Sequence, residues 1–105
     1  MTAEITDQNF DELVIRPGKT VVLDLWAEWC PPCLKLGPIM EEIAKDFEGK
    51  ALIGKVNVDR NPEISVQFGI RNIPAILYFR NGKLVDKQIG FVPKETLVQK
   101  LAAQL

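Results

Sequence analysis

The sequence contains no histidine, and its cysteines number only two. Without imidazole there is no Cys–His nucleophilic pair, and a four-ligand zinc site lacks the two further sulfur or imidazole ligands it would need within the chain. No charge of one sign dominates: 13 basic and 14 acidic residues give a net charge of -1 and are spread along the whole chain. That balance leaves no electrostatic footprint for nucleic acid or for an anionic membrane surface. Long apolar runs are also missing, the longest falling far short of the ~20 residues a membrane helix needs. The opening MTAEITDQNF has no basic segment followed by an apolar one. Repeats, low-complexity tracts and linkers are absent. The expectation is a cytoplasmic, monomeric, single-domain protein over residues 1–105 that acts on proteins or small molecules and carries no metal and no bound cofactor. A chain of 105 residues buries a real core unaided, so the cysteines are free for chemistry.

What is present reads as alternating strands and helices. Residues 3–6 form a short strand candidate, followed by a helix capped at Thr6 or Asp7, with Phe10, Leu13 and Val14 at helical spacing. Residues 20–27, TVVLDLWA, are a nearly continuous apolar run suited to a central strand covered on both faces. Residues 32–47 place Leu36, Ile39, Met40, Ile43, Ala44 and Phe47 on one helical stripe, which Pro38 should kink. A strand over 51–58 and a short helix over 62–68 follow. Strands at 75–79 and 83–89 flank Asn81-Gly82, a strong hairpin signal, and Pro93 opens a last helix. The order βαβαβ(α)ββα describes an α/β fold with one mixed sheet of about five strands and helices on both faces.

The two cysteines lie three positions apart in WCPPC, at the junction of the 20–27 strand and the following helix. Unsatisfied amides and the dipole at a helix N-terminus favour a thiolate there, and a second thiol one turn away can close a disulfide. Cys30 would attack a substrate disulfide and Cys33 would resolve the mixed disulfide. Two other uses compete: a metal or cluster bridged by two copies of the chain, and a purely structural disulfide.

The chain resembles the thioredoxin family along essentially its whole length. The resemblance is carried by Phe10-Asp11, Val22 to Cys30, Pro32-Cys33, Pro38, Asn57-Val58-Asp59, Asn61-Pro62, Phe68 to Arg71, Ile73-Pro74, Phe79, Asn81-Gly82 and Gly90. It implies the thioredoxin fold and a protein-disulfide reductase that is recycled by a thioredoxin reductase, the electron donor being either NADPH-linked or ferredoxin-linked. A reductase dedicated to one pathway and a binding module with idle thiols are the competing functions.

The same resemblance implies roles for single residues. Trp29 would shield the disulfide, and Trp26 would pack beneath it. A cis bond at Pro74 would leave the Ile73 backbone free to pair with an extended substrate segment, and Gly90 would allow close approach on the other side. Trp29, Pro31, Pro32, Ile73 and Pro74 would form the substrate-docking surface, extended by Phe91. Asp24 lies inside a run whose faces are both covered; burial would raise its pKa and let it exchange a proton with Cys33. Lys55 on the neighbouring strand would tune it, the alternative being an Asp–Lys pair at a solvated sheet end. The sequence departs from the family pattern at Pro31, Leu34 and Ala75, where glycine, a basic residue and threonine are usual. Pro31 is expected to be extended, with the helix starting at Pro32. Because Pro31 has no N–H, the amides of Cys33 and Leu34 would be the donors nearest the Cys30 sulfur.

Overall fold

The computed structural model describes all 105 residues, Met1 to Leu105. Its strand-favouring runs pair into one sheet of five strands: β1 (Ala3–Glu4), β2 (Val21–Trp26), β3 (Leu52–Asn57), β4 (Ala75–Arg80) and β5 (Lys83–Ile89), in spatial order β1-β3-β2-β4-β5. β3 runs parallel to both β1 and β2, whereas β4 is antiparallel to β2 and β5. The mixed sheet of the α/β fold is present. A parallel neighbour requires a crossover, and α1 (Pro31–Asp46) supplies it between β2 and β3. α2 (Pro62–Gln67) precedes β4, and α3 (Lys94–Ala102) follows β5.

β2 is the central strand, and its alternation divides the core in two. Val21, Leu23 and Leu25 pack with Phe10, Val14, Ile64, Leu77 and Phe79 on one face. Val22 points to the other face and packs with Leu36, Met40 and Ile43 of α1 and with Leu97 and Leu101 of α3. Coverage on both sides explains the nearly uninterrupted apolar run. On the first face the rings of Phe10, Phe68 and Phe79 meet pairwise at centroid distances of 5.7, 5.8 and 5.2 Å.

One local expectation needs correction. The helix read from Thr6 or Asp7 is a single π turn, Asp11–Ile15, closed by the Arg16 N–H on the Asp11 carbonyl at 2.9 Å. Thr6 does cap the start of this segment: Asn9 N–H donates to Thr6 Oγ1 at 3.1 Å, and Thr6 N–H to Asn9 Oδ1 at 2.8 Å, the reciprocal pattern of a capping box. Pro17 stops the segment before a regular helix can propagate, and the wide turn still buries both Phe10 and Val14. α1 stays continuous through Pro38, which costs it one N–H donor without ending it. Asn81 and Gly82 take φ of 54° and 75°, as a tight hairpin turn between β4 and β5 requires.

Candidate active site

β2 delivers the chain to the N-terminus of α1, and the two prolines decide how the helix begins. A residue before proline is driven out of the α region, and Cys30, preceding Pro31, is extended at φ -104° and ψ 101°. It is the N-cap. Pro31 is helical, contrary to the extended conformation expected of it, and α1 starts there, one residue early. Both prolines sit in the first turn, where a missing N–H is no loss. The Cys33 N–H reaches Cys30 Sγ at 3.3 Å. Leu34 N–H, expected as a second donor to that sulfur, is engaged by the Cys30 carbonyl at 3.1 Å in the first bond of the helix.

Cys30 and Cys33 are joined by a disulfide, their Cα atoms 5.2 Å apart. Both are buried, in a small cluster with Ala27 against which Trp26, Val58 and Ile73 pack. The Ile73–Pro74 bond is cis, as the resemblance implied, and the Ile73 carbonyl oxygen lies 3.9 Å from Cys30 Sγ. Ile73 precedes β4, so its N–H and C=O stand outside the sheet ladder. Pro74 is buried, and its carbonyl accepts the Gly90 N–H at 2.8 Å. Gly90 does not mark a close approach within the protein: a Cβ there would meet nothing within 4 Å. Its φ of 91° is what favours glycine.

Trp29, Pro31 and Pro32 are exposed beside the cysteines, Trp29 to 67 %. The Trp29 indole Nε1–H donates to Asp59 Oδ2 at 2.8 Å. Sequence pattern did not single out this role for Asp59, because the partner comes from the loop after β3 and only the β2–β3 pairing brings the two loops together. Leu34, at 53 %, and Phe91, at 47 %, are further exposed apolar groups.

Asp24 shares the α1-facing side of β2 with Val22 and is only 4 % exposed. Its Oδ1 is buried without a hydrogen-bond partner. Burial pushes its pKa from 3.8 up to about 7, with the Lys55 charge pulling the other way. Lys55 is the register partner of Asp24 across β2 and β3 and is half-buried. The two do not form an ion pair: the protein's pairs are Arg16–Asp11, Lys94–Glu42, Lys94–Asp46 and Lys100–Asp86. Lys55 Nζ lies instead over the Trp26 ring, 5.6 Å from its centroid. The solvated Asp–Lys pair at a sheet end is therefore not what forms, since Asp24 sits mid-strand inside the core.

Two sulfurs held at one helix start, the first already facing an amide donor, meet the needs of dithiol–disulfide exchange, and the mixed sheet behind them completes a protein of that class. Known proteins agree. The Thioredoxin family model matches residues 1–103. The chain is 48 % identical over 98 residues to a thioredoxin of Chlorobaculum thiosulfatiphilum, covering 93 % of this chain and 91 % of that one. It is 49 % identical over 98 residues to thioredoxin 2 of Chlorobaculum tepidum, at 93 % and 90 % coverage. To thioredoxin 1 of a Nostoc species it is 44 % identical over 103 residues, at 98 % and 96 %. The chain belongs to the thioredoxin family, and it is a thiol–disulfide oxidoreductase whose redox pair is Cys30 and Cys33.

Proposed function

We propose that the reduced protein opens protein disulfides with Cys30 as nucleophile and Cys33 as resolving thiol. The Cys30 thiolate attacks one substrate sulfur, forming a mixed disulfide and releasing the other sulfur as a thiolate that takes up a proton. Cys33 then loses its proton and attacks Cys30 Sγ. The Cys30–Cys33 bond closes, and the second substrate sulfur leaves as a thiolate. Two electrons have passed from the protein to the substrate. The observation that carries this assignment is the Cys33 N–H on Cys30 Sγ at 3.3 Å, at a helix start whose dipole favours negative charge on that sulfur.

Asp24 accepts the Cys33 proton through a water and returns it, for which a pKa of about 7 is well placed. Lys55 tunes that carboxylate through its charge. Trp29, Pro31, Pro32 and Ile73 form the docking surface with Pro74 behind them, the Ile73 backbone pairing with an extended substrate segment and the open space at Gly90 leaving room for it. The protein works as a monomeric single domain over residues 1–105, in the cytoplasm, with no bound cofactor and with a thioredoxin reductase as electron donor. No helix is long and apolar enough to cross a membrane.

Insulin reduction driven by excess dithiothreitol tests the assignment. The wild type should accelerate it and Cys30→Ser should fall to the background rate, while reduced Cys33→Ser, mixed with insulin after the dithiothreitol is removed, should retain covalently bound insulin chain. A Cys30→Ser variant that still traps substrate would overturn the order of attack.

A further inference from the structure

Trp29 stands exposed on a turn, and one hydrogen bond, to Asp59, fixes its indole. Asp59 is itself exposed, so what holds it lies deeper. Its N–H donates to Asn57 Oδ1 at 3.0 Å, a side chain folding back over its own turn. Asn57 is the last residue of β3 and is 8 % exposed. Its carbonyl accepts three donors: Arg60 N–H at 3.2 Å, Asn61 N–H at 3.0 Å and Asn61 Nδ2 at 3.1 Å. Asn61, only 4 % exposed, accepts the Asp7 N–H on its Oδ1 at 3.0 Å. The Asp7 carboxylate in turn receives the Glu63 and Ile64 amides that open α2, each at 3.2 Å. A polar chain, buried at Asn57 and Asn61 and exposed at its Asp59 end, therefore runs from the N-terminal loop to the indole beside the cysteines.

We propose that Asn57 is a positioning residue for substrate docking: by fixing the Asp59 turn it aims the Trp29 indole at incoming protein disulfides, and so contributes to selectivity for proteins over small disulfides. The proposal rests on Trp29 being part of the docking surface. None of these side-chain hydrogen bonds reaches Cys30 or Cys33, and Val58, which packs against the cysteines from the same turn, is unchanged in every variant compared below. A defect in the chain should therefore slow reaction with a protein disulfide while leaving the intrinsic exchange step alone.

The test compares Asn57→Thr with Asn57→Val. The two side chains share one shape and suit a strand end equally, but only threonine offers an acceptor to the Asp59 N–H. The second-order rate constants of the reduced proteins with insulin and with hydroxyethyl disulfide are measured alongside the redox potential. Relative to the threonine variant, the valine variant should react with insulin about three- to tenfold more slowly, the size of one hydrogen bond's net contribution. The rate with hydroxyethyl disulfide and the potential should be equal in the two. In an Asp59→Ala background the difference should vanish, since both changes then act through one missing contact. Equal rates with insulin, an equal loss toward both disulfides, or a difference that persists without Asp59 overturns the role of Asn57. Trp29→Ala separates the two levels. If it removes the preference for insulin while the Asn57 pair does not differ, only the positioning role falls; if it leaves the preference intact, the docking role of Trp29 falls and this inference with it.

Discussion

Asp24 is the residue whose chemistry is most at odds with its surroundings. Its Oδ1 is buried without a partner, its nearest cation leans on Trp26, and its proton is held to about pH 7 by burial. A group of that kind suits the proton exchange with Cys33 proposed above. The insulin-reduction rate of the wild type should rise as pH passes through about 7, where Asp24 ionises. Asp24→Asn should be slower at pH 8 by up to ~10²-fold, the low end of general-base effects, and its profile should lack that inflection. A variant that keeps the inflection would assign it to another group. Much of this was legible in VVLDLWA, since a carboxylate in a strand covered on both faces has nowhere polar to point. The posture of Lys55 was not, because register fixes which residues face each other but not which of two neighbours a long side chain chooses. The bond from Trp29 to Asp59 was hidden for a similar reason: it joins two loops through the pairing of the strands before them.

At the scale of elements, the start of α1 does the most for function. Two prolines place Cys30 outside the helix and leave one amide, that of Cys33, on its sulfur. Pro31→Gly loosens the first turn, and the N–H it restores belongs to the first helical residue, whose amide does not serve the N-cap side chain. The change therefore favours the reduced form by raising the entropy cost of closing the ring. The glycine variant should have the higher potential, by about 10 to 20 mV for the backbone entropy of one such substitution. Equilibration of both proteins with one reference dithiol checks the sign, and a lower potential for the variant contradicts it. Element identity was readable wherever period and punctuation agreed, as in the Leu36 to Phe47 stripe and at Asn81-Gly82. It failed where a proline fell on each side of a decision. The steric rule for residues before proline applied equally to Cys30 and to Pro31, and only Cys30 obeyed it. The π turn after Phe10 leaves the same apolar spacing as an α-helix, so pattern could not tell the two apart.

For the whole molecule, the buried carboxylate makes stability depend on pH. Between 3.8 and about 7 the unfolded chain has Asp24 ionised while the folded chain keeps it neutral, so folding takes up a proton and rising pH favours unfolding. The contribution is fully present below 3.8 and is lost by about pH 7, a change on the order of 4 kcal/mol over that span. Denaturant midpoints at several pH values should therefore show wild type losing stability relative to Asp24→Asn as pH rises from 4 to 8. Parallel profiles would mean that Asp24 titrates normally in the folded protein. The order β1-β3-β2-β4-β5 is what joins these scales: it puts Asp24 in the central strand and sets the loop after β3 beside the cysteines. Alkylation of the reduced protein with limiting iodoacetamide at pH 7, read by peptide mass spectrometry, tests the central claim most directly. Cys30 should be labelled well ahead of Cys33 in the native state; preferential labelling of Cys33, or of neither thiol until denaturant is added, would contradict the account.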